Sequence, residues 1–139
     1  MDELEPIENH LRNELVFGSS DGSLVVVRGG PFSIEKFVAH ILRQSREYSY
    51  LGQPMTSLSV SVTSNEWDLE RLLAGPLNSR STYATASVQA ILDAELLLLA
   101  TFAQPHYDLT LPDYKTSTLE VLAELFRHPQ PNPFIKRRR

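Results

Sequence analysis

The chain has 139 residues, 42% of them hydrophobic, with a formal net charge of −4 and no cysteine. That length fits one domain with enough apolar residues for a core, which excludes global disorder. The missing cysteines exclude disulfides, thiolate metal sites and cysteine nucleophiles and fit a reducing cytoplasm, while the slightly acidic balance excludes a surface that is basic all over but not a local basic patch.

Residues 1–13 form an acidic N-terminal segment that starts without the basic and apolar regions of a secretory signal. Leu4, Ile7 and Leu11 have helical spacing there, so a short docked helix and a free tail both fit. Residues 14–128 read as a single domain, and 129–139 as a proline-rich, basic C-terminal tail. The longest apolar run, Leu96 to Ala100, is too short to cross a bilayer, so no membrane is expected.

Glu14–Phe17 and Ser23–Arg28 read as strands joined by a Gly18–Gly22 hairpin loop. Gly29-Gly30-Pro31 stops the second strand, and Ser33 caps a helix whose apolar face is Ile34, Phe37, Val38, Ile41 and Leu42. Lys36, His40, Arg43 and Arg46 take its other positions, and it ends near Tyr48. In Pro54–Thr63, Leu58, Val60 and Val62 alternate with Ser57, Ser59, Ser61 and Thr63. This strand is expected near the middle of a sheet, with helices on its apolar side and its hydroxyl side first of all toward solvent, with contact to another strand or the floor of a ligand cleft as the alternatives.

A short helix through Leu69, Leu72 and Leu73 follows, capped by Ser64 or Asn65 and stopped by Gly75-Pro76. Ser81–Thr85 reads as a strand, and Val88, Ile91 and Leu92 as a brief helix opened by Thr85 or Ser87. Leu96–Phe102 reads as a buried strand, paired through Ala103–Pro105 with His106–Leu111, in which Tyr107, Leu109 and Leu111 alternate with Asp108 and Thr110. Ser117 and Glu120 form a capping box for a last helix with Leu119, Leu122, Leu125 and Phe126 on its apolar face. The order predicts a single α+β (or α/β) domain, with a mixed sheet of about five or six strands and three or four short helices.

His10, His40, His106 and His128 show no H-E-x-x-H spacing, and no metal site is expected. His106, at a strand start beside Tyr107, is placed to transfer a proton. Arg28 ends a strand beside two glycines and a helix N-terminus, which suits an anion clamp. His106, Tyr107 and Arg28 are the candidate catalytic residues. Arg46, Tyr50, Arg80 and Tyr83 are candidate ligand-binding residues, because guanidinium pairs with phosphate and tyrosine stacks on bases. Together with Arg28, Arg43 and His106 they are expected along one cleft. Lys136, Arg137 and Arg138 belong to the dense basic cluster and are candidates for phosphate contact.

Three functions fit this set. One is a small intracellular, nucleic-acid-directed protein, a metal-independent ribonuclease of toxin–antitoxin type that takes RNA and needs no cofactor. A second is an ADP-ribosyltransferase-like domain using NAD, with Arg28 on an early strand, the Ser57–Ser61 stretch in the middle and Glu95 as a late acidic residue. A third is a non-enzymatic interaction module (an antitoxin, an adaptor or a subunit of a larger complex) that docks a protein partner or a second copy of the chain. Geometry separates them. A ribonuclease needs a concave surface joining His106 to two or more of Arg28, Arg46 and Arg80. A transferase needs Arg28, the serine strand and an acidic side chain around one pocket, and a module needs a contiguous apolar patch.

Overall fold

The computed structural model describes residues 2–3, 24–50, 52–64, 66–100, 102 and 105–135. The expected Glu14–Phe17 strand, its hairpin loop and the Lys136–Arg138 cluster lie outside the described residues. In chain order the elements are β1 (Asp2–Glu3), β2 (Val25–Gly29), α1 (Ile34–Glu47), β3 (Tyr48–Tyr50), β4 (Gln53–Pro54), β5 (Ser57–Val62) and α2 (Leu69–Ala74). They continue with β6 (Thr82–Ser87), α3 (Val88–Asp93), β7 (Leu97–Ala100), β8 (His106–Thr110), α4 (Thr116–Leu125) and β9 (Gln130–Pro131). No helix among the described residues is long and apolar enough to cross a membrane.

The fold is α+β. Six strands form one sheet in the order β7-β8-β5-β2-β6-β9, with antiparallel neighbours throughout. A small second sheet, β1-β3-β4, holds the parallel pair, in which Asp2–Glu3 runs beside Tyr48–Ser49. A two-residue strand thus stands at residues 2–3, where the sequence reads as helix or free tail. The serine strand β5 lies inside the large sheet, and β7 pairs with β8 as the alternation implies. Consecutive residues of β2 point to opposite faces. Val26 joins the main core with Phe37, Leu58, Tyr107 and Leu122, while Val27 packs with Leu72 and Leu73 of α2. Each fully buried side chain of this kind contributes about 1.5–3 kcal/mol.

Helix starts follow the nearest good acceptor. Ser33 accepts from the Lys36 amide at 3.2 Å, and Ser87 from the Ala90 amide at 3.0 Å. Asp68, rather than Ser64 or Asn65, caps α2 by accepting from the Arg71 amide at 2.9 Å; Ser64 instead closes the preceding turn onto Trp67. The expected Ser117 capping box does not form. α4 starts two residues earlier than a Ser117 cap implies, with Lys115 as N-cap and no side-chain cap bond. Asp113 holds that start, accepting from the Lys115 amide at 3.0 Å and from Thr118 Oγ1 at 2.7 Å, because an ionised carboxylate is the stronger acceptor.

The hydroxyl side of β5 is not the solvent face that the alternation predicts. Ser57 and Ser61 are buried and Ser59 is half-buried. The reason is Asp108 on the neighbouring strand. Its buried carboxylate accepts from Ser57 Oγ at 3.2 Å and from Gln44 Nε2 at 3.1 Å, and Gln44 Nε2 also reaches Ser59 Oγ at 3.0 Å. Gln44 therefore takes the third buried position of α1, after Phe37 and Ile41, while Ile34 and Leu42 stay exposed. Asp108→Ala should lower stability by about 1–3 kcal/mol for each donor it orphans. Urea unfolding checks this, and Gln44→Leu in the same chain should cost less than the sum of the two single changes.

The C-terminal segment joins the sheet at Gln130–Pro131. β9 pairs with β6, and buried Asn132 donates to the carbonyls of Leu73, Leu77 and Arg80 at 3.3, 3.1 and 3.1 Å. That side chain fixes the loop between α2 and β6, and with it the backbone that carries Arg80.

Candidate functional site

The site arises where two strands part. β2 and β5 pair at Val26 with Val62 and at Val27 with Ser61, and the ladder stops there. Backbone groups cannot be left dry, so side chains replace the missing strand. The Ser59 carbonyl accepts from Arg28 Nη1 at 2.8 Å, and the Ser59 amide donates to His40 Nε2 at 3.3 Å. Between the parted strands lies a pocket of about 490 Å³. One wall is the end of β2 with Arg28, a second is α1, and the others come from Ser59–Ser61, Arg80 and His106.

Its charge is one-sided. Arg28, Lys36, Arg43, Arg46 and Arg80 line it together with His40 and His106, and among the described residues no acidic side chain does. Lys36, His40 and Arg43 follow i, i+4, i+7 spacing, which puts them on one face of α1. Arg80 is held close to β2 by glycine: a Cβ on Gly29 would overlap the Arg80 side chain, and Arg80 Nη1 donates to the Gly30 carbonyl at 3.4 Å.

Arg28 is the unusual member. It is 6% exposed, its guanidinium lies over the Phe37 ring at 5.5 Å, and its Nε has no hydrogen-bond partner among the described residues. Burial, and then the neighbouring Arg80 and Arg43, lower its pKa from the ordinary arginine range to about 10. It stays charged at neutral pH. A buried cation surrounded by cations, with a donor unused, is a site that gains when an anion enters.

His40 is neutral at neutral pH. Burial first, then Arg28, Arg43, Arg80 and His106, lower its pKa from 6.5 to about 4. Its Nε2 is the acceptor for Ser59, so the hydrogen bond assigns the proton to Nδ1. The folded value lies below the unfolded one. Above pH 6.5 the group has no effect on stability. As pH falls from 6.5 towards 4 the unfolded chain takes up a proton that the folded chain refuses, and stability drops. His40→Gln should flatten the fall in urea midpoint across that window, and an unchanged slope would show that another group carries it.

The expected site residues divide. Arg28, Arg46, Arg80 and His106 meet at this pocket, with Arg43. Tyr107 does not: it is buried in the main core, because its side of β8 is the Leu109 side. Tyr83 packs half-buried against Val27, Leu72 and Leu73 and is absent from the pocket wall. Tyr50 ends β3, and its side chain lies outside the described residues, as do Lys136, Arg137 and Arg138. Lys36 and His40 are site residues not singled out by the sequence reading; their shared helical face is the signal for them.

A smaller pocket of about 240 Å³ adjoins the first, lined by Arg43, Gln44, Glu47, Tyr48, Ser59 and Phe102. Arg43 and Ser59 belong to both. Among the described residues, no three of His, Asp and Glu gather as a metal ion would need. Comparison with known proteins finds no match to this chain among family models, curated proteins or solved structures.

Proposed function

We propose that this protein binds RNA by taking a backbone phosphate into the basic pocket and cleaves the strand without a metal. The supporting observation is that His106 lines the same concave wall as Arg28, Arg46 and Arg80, with no acidic residue among the described lining to repel a phosphate. The arginines neutralise the charge that builds on the phosphorus oxygens in the transition state. His106 accepts the proton of the 2′-hydroxyl as the 2′-oxygen bonds to phosphorus. The imidazolium then returns that proton to the departing 5′-oxygen. The products are a 2′,3′-cyclic phosphate and a 5′-hydroxyl end. His40, protonated at Nδ1 and tied at Nε2, can donate to the phosphate but has no lone pair left to act as base. Cytoplasmic action as the toxin half of a toxin–antitoxin pair fits this reading, with an acidic partner silencing the pocket.

The NAD-transferase reading gains Arg28, Ser59 and Ser61 on one pocket but finds no carboxylate among its lining residues. The test is incubation of the purified chain with single-stranded RNA in EDTA, analysing both binding and end groups. Cleavage to cyclic phosphate ends supports the proposal. Binding without cleavage leaves a non-enzymatic RNA module, and absence of binding overturns the phosphate reading.

A further inference from the structure

We infer that the smaller pocket beside the phosphate site is a nucleobase subsite, in which one unpaired base stacks on Phe102. The inference rests on the reading of the larger pocket as a phosphate site. Phe102 is 46% exposed, and two other rings meet it. Tyr48 meets it edge-on at 5.5 Å and 75°, and His106 at 5.1 Å and 77°. Those contacts hold the ring from two sides and leave part of it open.

Its backbone is unusual too. Phe102 has φ +52°, in the left-handed region that favours glycine. Strained positions of this kind persist where the surroundings hold a side chain in one place.

The chemistry of the lining separates a base from a second phosphate. Arg43 is offset by Glu47 there, so the small pocket lacks the cation excess of its neighbour. Gln44 and Glu47 add polar groups at its wall, which suits the edge of a base, while the aromatic surface suits its face. The connection is short. Arg43 and Ser59 line both pockets, and the His106 ring touches Phe102 from the phosphate side. A single nucleotide therefore fits across them, its phosphate among the arginines and its base on Phe102.

The test compares ribose 5-phosphate with a nucleoside monophosphate by titration calorimetry on the full chain. Wild type should bind the nucleotide roughly 5- to 100-fold more tightly, the range that one stacked base provides. Phe102→Leu should erase most of that advantage and leave ribose 5-phosphate affinity as it was. Phe102→Trp should retain the advantage, which guards against a folding artefact in the leucine variant. Equal affinity for the two ligands in wild type, or an advantage that survives Phe102→Leu, would overturn the subsite and leave the phosphate reading standing. Failure of both ligands to bind would overturn the phosphate reading and the subsite with it.

Discussion

Arg28→Met should give a protein that is more stable than the wild type and no longer holds an anion. The two effects have one cause. The guanidinium is buried beside Arg80 and Arg43, and the lowering of its pKa to about 10 corresponds to about 3 kcal/mol against the charged form. That burden is fully present below pH 10 and is relieved only as pH rises above about 10, so it operates at every pH of interest. Methionine fills similar space with no charge to desolvate. What is lost is one bond to the Ser59 carbonyl and the contact over Phe37, and the carbonyl lines a pocket that water reaches. The net expectation is a gain of about 1–3 kcal/mol in urea unfolding. Phosphate-ligand affinity should fall by about 2–5 kcal/mol, as it does when one partner of a buried charge contact is cut away. A variant that unfolds earlier than wild type and still binds would show that Arg28 is structural.

His106→Ala should lower RNA cleavage by about 10²- to 10⁴-fold, the usual contribution of a proton-transfer group. Binding should hardly change, because affinity comes from the arginines around it. The loss should therefore appear in kcat with KM unaltered, and added imidazole should restore part of the rate. His106 is half-buried at the first position of β8, so its removal costs little of the fold. Tyr107→Phe is the matched control. That ring is enclosed in the core, and the variant should cleave at the wild-type rate. Equal cleavage by wild type and His106→Ala would remove His106 from the reaction.

Local rules carried much of the fold. The two-residue period of β5, the helical spacing of Phe37 and Ile41, and the β7–β8 hairpin all follow from neighbouring residues. The Tyr107 alternation with Leu109 and Leu111 was also legible, and it points Tyr107 into the core and away from catalysis. Periodicity separates two faces of a strand but does not say which one is wet. The serine face is buried because Asp108, 49 residues after Ser59, supplies an acceptor there, and no local pattern contains that pairing. Five of the pocket's positive or titratable groups were identifiable in the sequence, Arg28, Arg43, Arg46, Arg80 and His106, and one cleft was expected for them. What opens that cleft was not legible, because it depends on a ladder between β2 and β5 stopping after Val27 and Ser61. The role of His40 was not legible for the same reason, since its partner is a backbone amide on a distant strand.

That parting of the ladder has an evolutionary consequence. The Ser59 peptide group is completed by side chains from positions 28 and 40, so the residues that build the pocket also finish the sheet. A change at position 28 frees only the carbonyl and a change at position 40 only the amide, and the pocket brings water to both. Across descendants of this chain, lineages that discard the pocket should be those in which β2 has closed onto β5.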